Sequence, residues 1–334
     1  SPQKSNYTSK ITSAIRNPHK LLERLLPSLP TRRNRFHAFV RSYIDQSERV
    51  FIMYSLAATN HFAELPFVCG SDQIWAPNQF DQWYYLSFVT DRHRRIAYAP
   101  SIGLPRIPDH LKPQVAALVE GIGFLSIRER QGAQLVHELT GIHAPVVLDP
   151  TLLLTKEEWL TISRPPSINK PYALCYLLGS NPKHRDLIGK YNQTAGYDTV
   201  VLPFAEGDDS WGDVQLDNIG PLEFIGLVNR ASIVFTDSLH GMLFSINLNK
   251  PFNVFMRFAE NHILCQNSRI ENAIDMLGLR HRLVEDDTAA IQNDKDIDYR
   301  TVNRLLATER TRSLGYLADS LQRSTAYAER LIHA

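Results

Sequence analysis

Cysteine is scarce in this chain, net charge is nearly absent, and no apolar run is long enough to cross a bilayer. The three cysteines, Cys69, Cys175 and Cys265, stand far apart, two of them inside apolar runs. That excludes a disulfide framework and a cysteine-based metal site, and it predicts buried thiols in a reducing compartment. Lys+Arg 36 against Asp+Glu 35 leaves a formal charge of +1, which argues against nucleic acid as a partner. What is present is a chain of 334 residues, 43% hydrophobic and 21% charged, a composition that suits two globular domains.

The charge is unevenly spread. Lys4, Lys10, Arg16, Lys20, Arg24, Arg32, Arg33, Arg35 and Arg41 face only Glu23 among residues 1–41. Such an arm suits an anionic membrane surface or a lipid-linked phosphate, the alternative being a solvated basic face. The cytoplasm, at or near the inner membrane face, is the expected location. The opening Ser-Pro-Gln and the acceptor patterns Asn6-Tyr7-Thr8 and Asn192-Gln193-Thr194 keep a secretory lumen open beside it.

Along the chain, Lys20–Leu26 and Phe36–Ile44 read as amphipathic helices, the second with Phe36, Phe39, Val40 and Tyr43 on one face. Short buried strands follow at 66–69, 95–99, 124–127 and 145–148, alternating with helical segments. Their ends read Gly-Ser-Asp, Arg-Glu-Arg and Asp-Pro-Thr. Polar residues at the same end of successive parallel strands line one crevice. The pattern breaks around Arg164-Pro165-Pro166-Ser167 and resumes with strands at 172–178, 199–203, 231–235 and 251–255. The expected fold is α/β, two Rossmann-like domains in a glycosyltransferase-B-like arrangement with a C-terminal closing helix. The expected divisions are 1–163 with its basic helical arm, 164–300, and a helical segment 301–334.

The most informative stretch is Thr236-Asp237-Ser238-Leu239-His240-Gly241-Met242, between a β-branched run and an apolar-periodic helix. Asp237 and Ser238 are good N-caps, and a helix start is an anion site through its free N–H groups, with His240 facing the anion. Local capping alone explains the same residues equally well. Ser71 and Asp72 follow a glycine turn and Arg128 ends a strand. Asp149 precedes Pro150, which suits a turn or cap. Arg269 opens a helix, and Arg257 lies in the loop before it.

Gly70–Trp75, Ser126–Glu129, Leu148–Thr151 and Thr236–Gly241, with Pro251-Phe252 and Ser268-Arg269-Ile270, occur in an order that resembles the polysaccharide pyruvyltransferase family over roughly residues 36–280. The resemblance implies transfer of the enolpyruvyl carbons of phosphoenolpyruvate onto two hydroxyls of a sugar, giving a cyclic ketal. It implies no catalytic metal and no cofactor beyond the donor itself. The partners expected are phosphoenolpyruvate and a sugar acceptor, free or lipid-linked. Under it His240 is the general acid and Asp72 the base or orienting group. Arg128 grips the donor, and Ser71, Asp149, Asp237, Ser238, Arg257 and Arg269 line the site.

Two departures stand out. Bacterial members open with a strand and a Gly-Asn-Tyr-Gly loop, and no such βα unit is evident here. The family's Arg-Leu-His-Gly is Ser238-Leu239-His240-Gly241, so the arginine has to come from elsewhere, with Arg257 and Arg269 as replacements. Two other classes stay open, a nucleotide-sugar glycosyltransferase of the same architecture and an inactive glycan-binding homologue. The acceptor sugar, its linkage and the oligomeric state are not written in the sequence.

Overall fold

The computed structural model describes residues 31–46, 65–205, 207–258, 262, 265–284, 291 and 297–332. The expected helix at 20–26, most of the basic arm and Asn6 lie outside them.

The first helix among the described residues, α1 (Arg32–Tyr43), is capped by Thr31, whose hydroxyl oxygen accepts from the Asn34 N–H. A parallel sheet follows in the order β1 (Phe67–Cys69), β2 (Arg95–Ala97), β3 (Phe124–Leu125), flanked by α2 (Lys112–Glu120) and α3 (Arg130–Thr140). The strand expected at 145–148 is reduced to one parallel bridge, Ile127 to Val146. The chain turns from it straight into the Asp149-Pro150 cap.

Beyond α4 (Lys156–Ile162) the chain builds a six-stranded parallel sheet. Its elements are β4 (Tyr172–Tyr176), α5 (Pro182–Ala195), β5 (Asp198–Val201), β6 (Val214–Gln215), α6 (Pro221–Arg230), β7 (Ile233–Thr236), α7 (Leu239–Asn247), β8 (Phe252–Phe255), α8 (Ser268–Met276) and β9 (Leu283–Val284). The order is β6-β5-β4-β7-β8-β9. The chain winds outward from β4 and then returns to β4's other side, so the winding reverses between β4 and β7. That switch point is where open α/β sheets leave a ligand crevice. Both faces are covered, with Leu174, Val200, Val234 and Phe252 in one core and Ala173, Cys175, Val201 and Phe235 in the other. This explains why these strands read as unbroken apolar runs.

The last helix, α9 (Tyr299–Ile332), returns across both sheets. Ser313 accepts from the Leu148 N–H at 2.9 Å, the Tyr316 hydroxyl donates to the Ala97 carbonyl, and Arg310 reaches Leu152 O and Asn247 Oδ1. The chain is therefore α/β with two parallel sheets and a closing helix, as expected. Among the described residues no helix is long and apolar enough to cross a membrane.

Two expectations are corrected. The basic arm is only partly a free face where it is described, since Arg33 and Arg41 are exposed but Arg32 and Arg35 are engaged. Arg32 donates to Asp217 O and covers the Phe204 ring, and Arg35 pairs with Glu223 of α6. On the face expected of α1, Tyr43 stacks on Phe39, and Phe36 and Tyr43 are about half exposed. Asn192 is buried on α5 and donates to the Thr199 hydroxyl at 2.9 Å, so it offers no amide to a modifying enzyme.

Gly226 lies where α6 meets the segment between the sheets; a Cβ there would run into the Arg164 carbonyl oxygen. Gly226→Ala should cost about 1–3 kcal/mol by overpacking, read as a lower unfolding midpoint. An unchanged midpoint would show that the segment at Arg164 yields without cost.

Candidate functional site

The site is assembled at the carboxyl ends of the strands of both sheets. β1 ends in Gly70, whose φ is +127° and whose Cβ would collide with the Tyr98 carbonyl, so glycine is required there. The turn delivers Asp72 at φ +63°, a left-handed conformation that aspartate tolerates better than most residues. Ser71 is half-buried and donates to Ala99 O at 2.8 Å.

Arg128 leaves the end of β3 and is 5% exposed. Its Nη1 donates to Asp149 Oδ2 at 2.7 Å, its Nη2 to Asp72 Oδ1 at 3.0 Å, and its Nε faces Glu129 Oε2 at 3.8 Å. Arg128 and Glu129 thus both belong to a buried cluster. Burial works against the guanidinium charge, but Asp149, Glu129 and Asp72 outweigh it and raise its pKa. Glu129 accepts from Ser101 Oγ, Ile102 N and Gly103 N, so it also clamps the loop after β2. Arg130, by contrast, is exposed.

Asp149 performs the cap expected of it and more. Oδ1 accepts from the Thr151 N–H and hydroxyl, while Oδ2 meets Arg128 and lies 3.6 Å from His240 Nε2. Burial raises its pKa, but the contacts with His240 and Arg128 prevail and hold the carboxyl well below the usual range.

The second sheet supplies His240. α7 begins at Leu239, earlier than the apolar periodicity suggests, so His240 lies in its first turn with Ser238 as the N-cap. Asp237 is buried and is not the cap. Its carboxylate accepts from Leu178 N at 2.6 Å and Gly179 N at 2.8 Å, lacing the loop after β4 to the loop after β7. Thr236 adds a hydroxyl bond to Tyr176 O at 2.7 Å. The His240 side chain is 37% exposed.

Arg269 on α8 approaches from the same half. Its Nη1 lies 3.8 Å from Asp72 Oδ1 and its Nη2 donates to Gln266 Oε1 at 2.6 Å. Burial and then the Arg128 charge lower its pKa to about 10, which still leaves it charged. Arg257 stands over the Phe258 ring and reaches the same Gln266 oxygen at 3.5 Å. Arg128, Asp149, Asp72, His240 and Arg269 therefore meet, and Arg257 joins Arg269 through Gln266. Ser71 and Asp237 are spent on backbone. Sequence reasoning missed Glu129, Gln266 and Asn272, whose side chain bridges Arg130 N and Arg128 O from the second half.

Beside His240 opens a cavity of about 350 Å³, walled by Tyr176, Phe204, Phe224 and Phe244 and roofed by Arg32 and Phe36 of α1. Burial raises the Tyr176 phenol pKa, with a hydrogen bond to Ser238 opposing it.

The model of the polysaccharide pyruvyl transferase family matches residues 14–257. No curated protein matches the sequence significantly. Similar solved structures include UDP-GlcNAc 2-epimerase of Methanocaldococcus jannaschii in complex with UDP-GlcNAc and UDP, at 13% identity, 67% of this chain, 71% of that one and a TM-score of 0.35. The UDP-GlcNAc 2-epimerase of Neisseria meningitidis bound to UDP-GlcNAc matches at 9% identity over 75% and 70% of the chains, with a TM-score of 0.35. The E. coli heptosyltransferase WaaC with ADP-2-deoxy-2-fluoro heptose matches at 14% over 58% and 76%, with a TM-score of 0.28.

The depressed Asp149 carboxyl sets a pH signature. Its contribution to stability is complete above the ordinary aspartate value of about 3.9 and fades as pH falls through the lower folded value. Asp149→Asn breaks a buried pair and should cost about 3–5 kcal/mol at neutral pH. Urea unfolding at several pH values should show that gap narrowing from about pH 4 toward 2. A gap constant across that range would remove Asp149 from the linkage.

Proposed function

The chain belongs to the polysaccharide pyruvyl transferase family, and on that premise we propose that it transfers the enolpyruvyl carbons of phosphoenolpyruvate to two hydroxyls of one sugar. The product is a cyclic ketal, and phosphate is released. One arrangement supports the reading above all. His240, in the first turn of a helix, stands 3.6 Å from the Asp149 carboxylate that also binds Arg128, while Arg269 closes on the same cluster from the other half.

The donor's carboxylate and phosphate require fixed cations. Arg128 and Arg269 both face Asp72 Oδ1, and Asp72, with 54% of its side chain exposed, is the partner free to swing away. An incoming anion takes over these N–H groups as Asp72 turns off the cations while staying at the mouth of the site. His240 then gives a proton to the methylene carbon, leaving positive character at C2. The first sugar hydroxyl bonds to C2 and its proton restores the His240 acid, directly or through Asp72. The second hydroxyl attacks C2 as the bond to the phosphate oxygen breaks, and its proton leaves with hydrogen phosphate. Asp149 holds the Nε2 edge of the imidazole throughout, a positioning role.

Arg128→Lys should weaken phosphoenolpyruvate binding about 10- to 100-fold in calorimetry, because an ammonium cannot satisfy the same fork and a charged hydrogen bond is worth about 1.5–3 kcal/mol. Wild-type affinity in that variant, or tight binding of UDP- or CMP-sugars with none of phosphoenolpyruvate, would overturn the donor assignment.

His240→Gln keeps a hydrogen-bonding side chain but has no proton to give. It should bind the donor and lose turnover by about 10²- to 10⁴-fold, followed as phosphate release with a glycan panel. Near-normal release would make His240 a binding residue and shift the search for the acid to Asp72.

A further inference from the structure

We propose that the aromatic cavity beside His240 is the acceptor subsite and that it takes a pyranose by one C–H face, turning the ring's hydroxyls toward His240. The proposal rests on the transferase reading and adds where, and by what contact, the sugar is held. His240 stands between two unlike surfaces. On one side are the carboxylates and guanidinia of the donor cluster; on the other is a cavity of about 350 Å³. That volume falls within the ~300–1,000 Å³ of small-molecule sites, which are mostly apolar with few polar groups.

The cavity's chemistry separates it from the donor cluster. Among the described residues no carboxylate lines it, and its ionisable members there are Arg32, Tyr176 and His240. The Arg32 guanidinium is committed, donating to Asp217 O at 3.0 Å and lying 4.4 Å from the centroid of Phe204. A multiply charged anion therefore finds its cations at Arg128 and Arg269 and not here. The walls are locked edge to face, Tyr176 against Phe204 at 5.2 Å and 64°, Tyr176 against Phe224 at 5.2 Å and 65°, and Phe224 against Phe244 at 5.7 Å and 83°. Such pairs fix one another's planes, so the faces left open are fixed too. An aromatic face is electron-rich, and the C–H groups on one face of a pyranose carry slight positive charge, so the two surfaces attract. Phe204 is about half exposed, and since Arg32 lies over one face of its ring, the other face is the one a ligand would take. The reaction adds the decisive constraint. Both acceptor hydroxyls must reach a carbon whose anionic substituents lie on the arginine side of His240. A ring stacked on the cavity side presents them from the opposite direction.

The test uses the full chain, methyl α- and β-pyranosides of galactose, glucose and mannose as probes, and saturation-transfer NMR with titration. Ring C–H protons of at least one glycoside should saturate from the protein's aromatic resonances. Phe204→Ala and Phe204→Leu should each weaken that glycoside about three- to tenfold, Phe204→Trp should retain it, and phosphoenolpyruvate affinity should not move in any of the three. Leucine is the discriminating variant because it keeps apolar bulk and loses the π face. If leucine binds as well as phenylalanine, the contact is not ring stacking and the pyranose assignment is overturned. It is overturned as well if uridine occupies the cavity and no glycoside does. Failure of the wild-type chain to bind phosphoenolpyruvate sinks the transferase reading instead, and aromatic saturation of a glycoside in the same sample would leave the cavity a sugar site.

Discussion

A guanidinium 5% exposed has to be compensated, and the position of Arg128 organises much of the first half of this chain. Removing such a group from water costs several kcal/mol, recovered only when carboxylates meet it in good geometry. Asp72 and Asp149 do so at hydrogen-bond distance, Glu129 stands 3.8 Å from Nε, and all three come from strand ends at one edge of the same parallel sheet. Each has a second task. Asp72 faces Arg269, Glu129 clamps the loop at Ser101–Gly103, and Asp149 caps the turn at Pro150 and meets His240. A shift in Arg128 would therefore be felt in the loop after β2 and in the contacts to the second half.

The second half has its own lacing, which sets where His240 stands. At the switch point the loops after β4 and β7 would diverge, leaving the N–H groups of Leu178 and Gly179 without backbone partners. Asp237 supplies both, and Gly179 is small enough for the approach, since a Cβ there would lie 2.9 Å from Asp237 Oδ2. Capping then falls to Ser238, and the helix begins directly behind it. The imidazole is thus held at a helix start whose position is fixed by buried bonds and not by the ligand.

Much of this was legible in the residues. The alternation of apolar runs with capped helices reveals parallel α/β layers because strands buried on both faces carry no polar alternation. Arg128, Asp149 and His240 stand out because strand ends and helix starts are punctuated by polar residues of few types. Asp237 misleads for the same reason. Aspartate before a helix is read as a cap, and nothing local tells whether its oxygens turn to their own helix or to the neighbouring loop. Glu129 looks like a surface partner because an Arg-Glu-Arg run has no burial written in it. The aromatic cavity has no signature in sequence at all, since Tyr176, Phe204, Phe224, Phe244 and Phe36 come from five separate segments with no common spacing.

Charge accounting across the site explains why two surfaces are needed. Arg128, Arg257 and Arg269 stand among Asp72, Asp149 and Glu129, so the cluster is close to neutral as it folds. Such a cluster gains little from a further anion unless one carboxylate gives way. Asp149 and Glu129 are buried and bonded on several sides, whereas Asp72 is half exposed and bonded mainly to the cations themselves. In the proposed reaction the exchange of Asp72 for the donor keeps the cluster near balance and frees a carboxylate beside the reacting groups. A neutral sugar would win nothing from such an exchange. Its binding has to come from contact area and ring faces, which the charge cluster does not offer and the cavity on the other side of His240 does.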